Sequence, residues 1–442
     1  MSSEHATEAY NQQCLGGNDA LLHAMSRIEL PPLFHASCGH RLMPRPFFVD
    51  ESHMRDFAAD VRSLFDLLTS VPDRLFGGDV QAYCDSLGIP QPQADLMRRF
   101  AAETPTAYGR ADLYHDGTSF KLLEFNVGSE LGGADRAEIQ RALLDVPAFR
   151  DFAEEHRLSY VHTGERIATA LRTAAAHVTG GAPPVVALVE GDGGLAPYLH
   201  LVRSFQEMIR GLGIDLLVGE IAQIGEKDGR ILLDGTPVDV VLRYFSAAQV
   251  ARAPGAAEAI EPILRAHEEG RVLLFTTFQS SLYANKGCLA MLSEARHQGS
   301  FTADENALID RVLPWTRTLE ADLVEHCREH RERLIVKPRA DFAGHGIHVG
   351  WELSDGDWQD VLKERAGQGF VVQERVVPRR EPVIDPQSGR SEDWAAAWDV
   401  FLTPEGYAGS HIRALPHGDS AVVGMGANPA CRTTGPFLVP SD

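Results

Sequence analysis

Apolar residues recur every three or four positions in two long stretches of the chain. The first stretch is 51–104, which contains MRDFAADVRSLFDLL, and the second is 134–180, which contains RAEIQRALLDVPAFRDFAEE. This spacing places the apolar side chains on one face of a helix. We therefore predict that both stretches are helical.

Between these helical stretches the pattern changes to alternation. The segment RADLYHDGTSFKLLEFN, 110–126, consists of two short alternating runs about Asp116–Gly117. Alternation on both sides of an Asp-Gly pair is typical of a β-hairpin. Because side chains two positions apart share a face of a strand, Arg110 and Asp112 should face the same way, as should Glu124 and Asn126.

The rest of the chain predicts an α+β fold with several subdomains. The alanine- and glycine-rich TAAAHVTGGAPP marks a boundary, and a strand–helix–strand pattern with a hairpin over RILLDGTPVDVVLRYF follows it. Residues 303–333 are predicted helical, and short strands dominate from 334 onward. We predict a helical region with the first hairpin over 1–180, a small α/β subdomain over 181–260, and a third unit over 261–442.

The predicted face of the first hairpin carries one guanidinium, two carboxylates and one amide. Hard oxygen donors of this kind suit Mg²⁺, and an arginine beside them would complement the charge of a transferring phosphoryl group. An exposed hairpin face with an intramolecular Arg–Asp pair accounts for the same residues. The hairpin by itself does not decide between these interpretations.

Other polar residues stand at strand ends or inside strands. They are Lys286 before a predicted helix, Lys337 in LIVKPRADFAGHGIHVGW with Gly344 and Gly346 after it, Gln373 and Glu374 in FVVQERVV, and Arg413 in AGSHIRAL. A lysine at a strand end followed by a glycine loop is compatible with phosphate binding, but a lone glycine-rich loop is weak evidence. Each of these features also has an ordinary structural explanation. Lys286 could be a surface lysine, the glycine loop a surface turn, Gln373 and Glu374 a solvent-facing pair on an edge strand, and Arg413 a surface arginine.

Composition narrows the class of protein. The 442 residues contain 41 Lys and Arg against 62 Asp and Glu, a net charge of −21, which argues against nucleic acid as a partner. The apolar runs are too short to cross a membrane, and the first residues lack a secretory signal. The 6 cysteines form no C-x-x-C pair, so we expect free thiols and a cytoplasmic location.

Taken in order, these motifs resemble glutathionylspermidine synthase, an ATP-grasp ligase with a circularly permuted fold. The shared order is R-x-D, a turn, E-x-N, N-K at a helix start, V-K-P with a glycine loop, a Q-containing strand and an IR strand. The resemblance spans roughly 105–437 and is most specific in the hairpin. It implies an ATP-grasp fold in permuted order, with a pre-ATP-grasp subdomain over 181–260 and the nucleotide-binding lobes over 261–442.

The resemblance also implies ATP and Mg²⁺ as cofactors and assigns roles to individual residues. The implied metal ligands are Asp112, Glu124 and Asn126. Arg110 is implied to bind the transferred phosphoryl group, and Arg413 to lie close to the phosphates. The implied nucleotide-binding residues are Lys286, Lys337, Gly344 and Gly346 within a lid over 341–347, and Gln373, Glu374 and Val376 near adenine.

The implied activity joins a small carboxylic acid to an amine through an acyl phosphate, with release of ADP and phosphate. The sequence departs from the family in a longer helical segment between Lys286 and Lys337, in having no counterpart of the amidase half, and in lacking residues that would hold glutathione or spermidine. A phosphotransferase that shares the first chemical step and a non-catalytic ATP-binding protein are the alternatives.

Overall fold

The computed structural model describes residues 2–38, 41–340, 345–418, 420 and 422–441. Its α-helices within these ranges are α1 (Ser3–Leu15), α2 (Asp19–Leu22), α3 (Pro32–Cys38), α4 (Glu51–Thr69), α5 (Val71–Phe76), α6 (Val80–Ser86), α7 (Gln91–Arg98), α8 (Ala137–Leu144), α9 (Pro147–Glu155), α10 (Thr163–Thr179), α11 (Leu199–Gly211), α12 (Ala247–Arg252), α13 (Ala256–Glu268), α14 (Ser280–Ala284), α15 (Lys286–Ala295), α16 (Ala303–Val312), α17 (Val324–Glu329) and α18 (Asp355–Arg365).

The strands lie mainly in the middle and the last third of the chain. They are β1 (Phe47–Asp50), β2 (Gly109–His115), β3 (Phe120–Val127), β4 (Val185–Glu190), β5 (Asp215–Glu220), β6 (Ile224–Lys227), β7 (Arg230–Leu233), β8 (Thr236–Pro237), β9 (Val240–Arg243), β10 (Leu273–Phe275), β11 (Thr316–Thr318), β12 (Leu334–Pro338), β13 (His348–Val349), β14 (Phe370–Glu374), β15 (Arg380–Ile384), β16 (Ser391–Thr403), β17 (Gly406–Pro416), β18 (Arg432–Thr434) and β19 (Pro436–Val439).

The main sheet is antiparallel and joins distant parts of the chain. Its order is β18-β17-β16-β2-β3, with β15 paired to the first part of β16. The predicted hairpin is confirmed as β2 and β3, and its free edge hydrogen-bonds to β16, almost 300 residues later. The helices predicted before and after the hairpin are also confirmed, and α4 buries an apolar face that includes Met54, Val61 and Leu68.

A second antiparallel sheet has the order β11-β14-β12-β13. One of its faces packs Leu334, Val336 and Val372 against α17 and α18 in a small core with Trp358. Because side chains alternate along a strand, residues one position away project to the opposite face. That opposite face carries Lys337 and Gln373.

The third large sheet is parallel, with the order β10-β9-β4-β5. Helices α10 and α11 cover one face of this sheet and α13 covers the other. The predicted hairpin over RILLDGTPVDVVLRYF is wrong in its second arm, because β7 pairs with β8 while β9 joins this parallel sheet. All four residues of β9 are buried, as expected for an interior parallel strand covered on both faces.

Two further sequence expectations can be compared with the structure. The six cysteines are all free and buried, which confirms the prediction of free thiols. Across the described parts of the chain, no helix has the length and apolar character needed to span a membrane.

Candidate active site

A row of four polar side chains crosses the main sheet. Glu124 on β3 is opposite Asp112 on β2, which is opposite Asp399 on β16, and Asp399 is opposite His411 on β17. Residues directly opposite in antiparallel pairs project to the same face, so the four side chains are neighbours. Asp399 and His411 carried no signal in the sequence, since only strand pairing brings them beside the hairpin.

Two arginines bind the carboxylates at the centre of this row. Arg110 donates from Nε and Nη2 to Asp112, at 2.8 and 3.1 Å. Arg413 donates from Nη2 to Asp112 at 2.8 Å, and from Nε and Nη2 to Asp399 at 2.7 and 2.6 Å. Nε2 of His411 lies 2.7 Å from the Asp399 carboxylate. These contacts place residues from two distant segments of the chain in one polar network.

The remaining predicted metal ligands lie at the edge of this network. The amide nitrogen of Asn126 donates to Asp112 at 3.2 Å. Nζ of Lys286 lies 3.0 Å from a carboxylate oxygen of Glu124. Lys286 begins α15, whose N-cap residue Asn285 accepts a hydrogen bond from the Gly287 backbone, so the helix start positions the lysine.

The second sheet contributes Lys337 and Gln373. Nζ of Lys337 donates to Oε1 of Gln373 at 2.7 Å, and Nε2 of Gln373 donates to the Thr316 hydroxyl at 3.1 Å. Lys337 is 6% exposed and Gln373 is 2% exposed, so neither is a surface residue. The contact satisfies the polar group that made Gln373 unusual inside an apolar strand.

The main sheet and the second sheet line one cavity of about 1220 Å³. Among the predicted site residues, those that line it are Arg110, Asp112, Glu124, Asn126, Lys337, Gln373, Glu374, Val376 and Arg413. The predicted Arg–Asp pair therefore exists, but it is buried: Asp112 is 5% exposed and Asp399 is fully buried. The interpretation of the hairpin as an exposed surface is wrong.

Three predicted residues do not line the cavity in the part of the chain that the structure describes or lie outside that part. Lys286 contacts the network through Glu124. Gly346 is exposed and has a φ of 67°, a left-handed conformation that favours glycine. Gly344 and most of the predicted lid lie outside the described residues.

Burial and neighbouring charges set the protonation of the carboxylates in opposite directions. Burial raises the pKa of Asp112, against the opposing effect of Arg110. Burial also acts to raise the pKa of Glu124 and of Asp399, but Lys286 and Lys337 outweigh it at Glu124, and Arg413 and His411 outweigh it at Asp399, so both pKa values are lowered. Two of the three carboxylates are therefore held firmly ionised.

The charges around the row of carboxylates suit an anion. Three carboxylates face four basic side chains, namely Arg110, Arg413, Lys286 and Lys337. Burial lowers the pKa of His411. This local excess of positive charge among buried side chains favours a polyanion such as a nucleotide phosphate at this end of the cavity.

The donors also fit a magnesium ion. No cluster of three Asp, Glu, His or Cys side chains arranged to hold a metal occurs in the part of the chain that the structure describes. Mg²⁺, however, uses one or two carboxylates and completes its coordination with phosphate oxygens and water. Asp112 on β2 is opposite Glu124 on β3, and Asn126 lies two residues after Glu124 on β3. These three side chains supply ligands of this type.

Neither protein-family models nor curated protein sequences yield a match for this sequence. Solved structures do resemble the chain. A glutathione synthetase-like effector from Globodera pallida matches with a TM-score of 0.55 and 12% identity, covering 95% of this chain and 97% of the other. This match shows a shared fold along almost the whole of both chains.

Two other structures match less well. A proposed γ-glutamylcysteine synthetase from Methylobacillus flagellatus has a TM-score of 0.47 and 13% identity, covering 88% of this chain and 89% of its own. D-alanyl-alanine synthetase A from Vibrio cholerae has a TM-score of 0.33 and 13% identity, covering 57% of this chain and 74% of its own.

Proposed function

We propose that the protein is an ATP-dependent carboxylate–amine ligase. One observation carries the proposal: Arg110, Arg413 and Lys337, from distant segments, line one cavity with Asp112, Glu124 and Asn126, and Lys286 lies against Glu124. A transferring phosphoryl group needs such a combination of positive charge and hard oxygen ligands. The shared fold with a glutathione synthetase-like protein supports the same class of reaction.

Asp112, Glu124 and Asn126 would hold Mg²⁺, which when bound would neutralise negative charge on the phosphates. Lys286 and Lys337 would bind phosphate oxygens of ATP. Arg110 would lie against the transferred γ-phosphoryl group, with Arg413 beside it. In this arrangement Glu124 and Asp399 also keep the basic side chains in position before the nucleotide binds.

The proposed chemistry has two steps. An oxygen of the substrate carboxylate attacks the γ-phosphorus, and the bond to the β–γ bridging oxygen breaks, which produces an acyl phosphate and ADP. A neutral amine then attacks the acyl carbon, inorganic phosphate leaves, and the amine loses a proton to form the amide. No protein nucleophile is required.

We also propose that the fold is a circularly permuted ATP-grasp fold of the glutathionylspermidine synthase type. The hairpin with the metal ligands precedes Lys286 and Lys337 in the chain, yet it lies in one sheet with β16 and β17. This order agrees with a permutation that moves metal-binding strands ahead of the nucleotide-binding lobes. The domain ranges 1–180, 181–260 and 261–442 stay predictions, and the main sheet takes strands from the first and the third.

The nucleotide products provide the test. The protein is incubated with Mg²⁺, ATP and pairs of acids and amines, and ADP, AMP, phosphate and pyrophosphate are measured. With a productive pair we expect ADP, phosphate and amide in equal amounts. With the acid alone, hydroxylamine should trap a hydroxamate, because it can replace the amine in attacking the activated carboxyl group.

Each other result selects a different function. AMP with pyrophosphate would contradict the acyl-phosphate mechanism, since it requires attack at the α-phosphorus. A stable phosphorylated product that no amine consumes would identify a phosphotransferase. ATP that binds tightly and stays unchanged with every pair would identify a non-catalytic ATP-binding protein.

A further inference from the structure

The cavity extends beyond the phosphate-binding residues to the carboxyl end of the parallel sheet. Glu190, the last residue of β4, lines it there together with Tyr198 and the start of α12. Crevices at the carboxyl ends of parallel strands are common ligand sites. Nothing in the proposed phosphoryl chemistry uses this end of the cavity.

Glu190 is a buried carboxylate that has no cationic partner among the described residues. It is 2% exposed, and its Oε1 accepts hydrogen bonds from the Gly191 backbone at 2.7 Å and from Nε2 of Gln249 at 2.9 Å. The Tyr198 hydroxyl donates to Oε2. These neutral donors orient the carboxylate and leave its charge uncompensated.

Neighbouring carboxylates at this end of the cavity do have cationic partners. Glu130 lies 2.6 Å from Nη1 of Arg243, and Asp135 lies 3.3 Å from Nη1 of Arg136. A buried charge without an opposite charge is unfavourable unless a ligand supplies one. Glu190 therefore differs from its neighbours in a way that a cationic ligand group would explain.

A nearby arginine lacks a carboxylate partner among the described residues. Arg252 lines the cavity, is exposed, and has no carboxylate within ion-pair distance in the part of the chain that the structure describes. It follows Gln249 by three residues on α12, and side chains with this spacing lie about 5–6 Å apart at Cβ. Since Gln249 contacts Glu190, the guanidinium can reach a group bound to that carboxylate.

We infer that Glu190 and Arg252 form a subsite for the ammonium and carboxylate groups of a free amino-acid end, with Glu190 binding the ammonium and Arg252 the carboxylate. Tyr198 and Gln249 act as positioning residues that fix the Glu190 carboxylate. The identification of this ligand as a substrate rests on the proposed function, whereas its binding does not. The reacting group would be elsewhere on the same molecule, toward Arg110.

Calorimetry on the full chain tests this subsite without requiring turnover. The probes are the twenty common free amino acids, their N-acetyl derivatives, which lack the ammonium, and their carboxamides, which lack the carboxylate. We expect at least one free amino acid to bind, its N-acetyl derivative to bind at least tenfold more weakly, and its carboxamide to bind several-fold more weakly. Absence of binding by every free amino acid, or equal binding of the N-acetyl derivative, would overturn the inference.

Variants then assign the contacts. Glu190→Gln should weaken the amino acid at least tenfold, while the matched control Glu220→Gln should change it less than twofold. Glu220 is opposite Glu190 on β5 but accepts hydrogen bonds from the backbone of Gly193 and Leu195 instead of lining the cavity. Equal effects of the two variants would contradict the assignment.

A variant of the exposed Arg252 tests the subsite without changing the buried Glu190, whose substitution could disturb the fold. Arg252→Ala should weaken the free amino acid but leave its carboxamide unchanged, and an equal loss for both would contradict a carboxylate contact. ATP binding is measured on the same samples. Amino-acid binding that depends on Glu190 in a protein that binds no ATP would support the subsite and contradict the proposed ligase.

Discussion

Asp112 accepts hydrogen bonds from three side chains, two of them positively charged, and these contacts explain why the position needs a negative charge. Its two oxygens receive Arg110, Arg413 and Asn126. An asparagine at this position would present an N–H₂ group to two guanidinium groups and could not neutralise them. The position therefore requires a carboxylate both for the arginines and for the proposed metal ion.

The first prediction concerns this requirement. Asp112→Asn and Glu124→Gln keep the size of the side chain but remove its charge, so each should lower turnover by about 100-fold or more and raise the Mg²⁺ concentration needed. ADP release during a Mg²⁺ titration measures both effects.

The control for these variants is Asp116→Asn, in the turn of the same hairpin. The exposed Asp116 accepts hydrogen bonds from Thr118 and Ser119 and should tolerate the change. Circular dichroism checks that all three variants fold. Near-normal turnover of Asp112→Asn or Glu124→Gln at limiting Mg²⁺ would show that the hairpin is not the metal site.

The second prediction uses the titration of Lys337. Burial, with a further contribution from Lys286, lowers the pKa of Lys337 to about 8. The free protein should hold this lysine charged below that pH and lose its charge above it. ATP affinity should therefore be nearly constant up to about pH 8 and decrease as the pH rises further, which calorimetry measures.

Removal of the side chain separates this effect from other titrations. Lys337→Ala should weaken ATP by about 10- to 100-fold, the usual value of a charge-assisted hydrogen bond, and should flatten the pH dependence. Lys363→Ala, on the exposed side of α18, should change neither. An unchanged pH profile in Lys337→Ala would show that another group titrates.

At the scale of elements, the site depends on the pairing of β2 with β16. This pairing places Asp399 opposite Asp112, and it places Arg413 on the next strand within reach of both. A shift of one residue in this register would turn Asp399 to the opposite face of the sheet. The contacts of Arg413 would then be lost while the hairpin itself stayed intact.

The third prediction concerns Asp399, which the pairing of β2 with β16 brings into the site. Asp399→Asn leaves Arg413 with a weaker partner in a fully buried position, so we expect a decrease of about 3–5 kcal/mol in the free energy of unfolding. Turnover should also fall, because Arg413 would no longer be held. Denaturant titration measures the first effect.

Asp393→Asn is the matched control on the same strand. Asp393 is 42% exposed in its side chain and pairs with the exposed Arg380, so its loss should cost less than about 1 kcal/mol. Similar losses for both variants would contradict a special role for the buried network.

At the scale of the whole molecule, three sheets contribute to one cavity. The main sheet supplies the carboxylates and arginines, the second sheet supplies Lys337, and the parallel sheet supplies Glu190. The main sheet and the parallel sheet share one cluster of apolar side chains, whereas the second sheet packs on a cluster of its own. The same packing buries every cysteine of the chain.

The fourth prediction follows from this burial. All six cysteines are free and buried, and burial raises their pKa values, for example to about 11 for Cys84 and about 12 for Cys288. The thiolate is the reactive form, so a chromogenic disulfide reagent should modify fewer than one thiol in minutes on the folded protein. After unfolding in denaturant it should modify six. A count of four after unfolding would indicate a disulfide.

The sequence by itself determined the early helices and the hairpin with its local chemistry, whereas the prediction that 303–333 is helical is wrong at β11. Alternation about Asp116–Gly117 predicts β2 and β3, and it places Asp112 and Glu124 on a common face, because both depend only on residues close in the chain. Lys337 at a strand end and Gln373 inside a strand are also visible in the sequence. Their contact with each other depends on the pairing of β12 with β14.

Only the tertiary structure decided which side chains meet at the site. Asp399 and His411 lie in ordinary-looking strands, and β9 was predicted as a hairpin arm although it pairs in the parallel sheet. The partner of a strand edge is chosen by hydrogen bonding and burial across hundreds of residues, which local periodicity does not encode. For the same reason the absence of a cationic partner at Glu190 among the described residues became visible only once the surrounding side chains had positions.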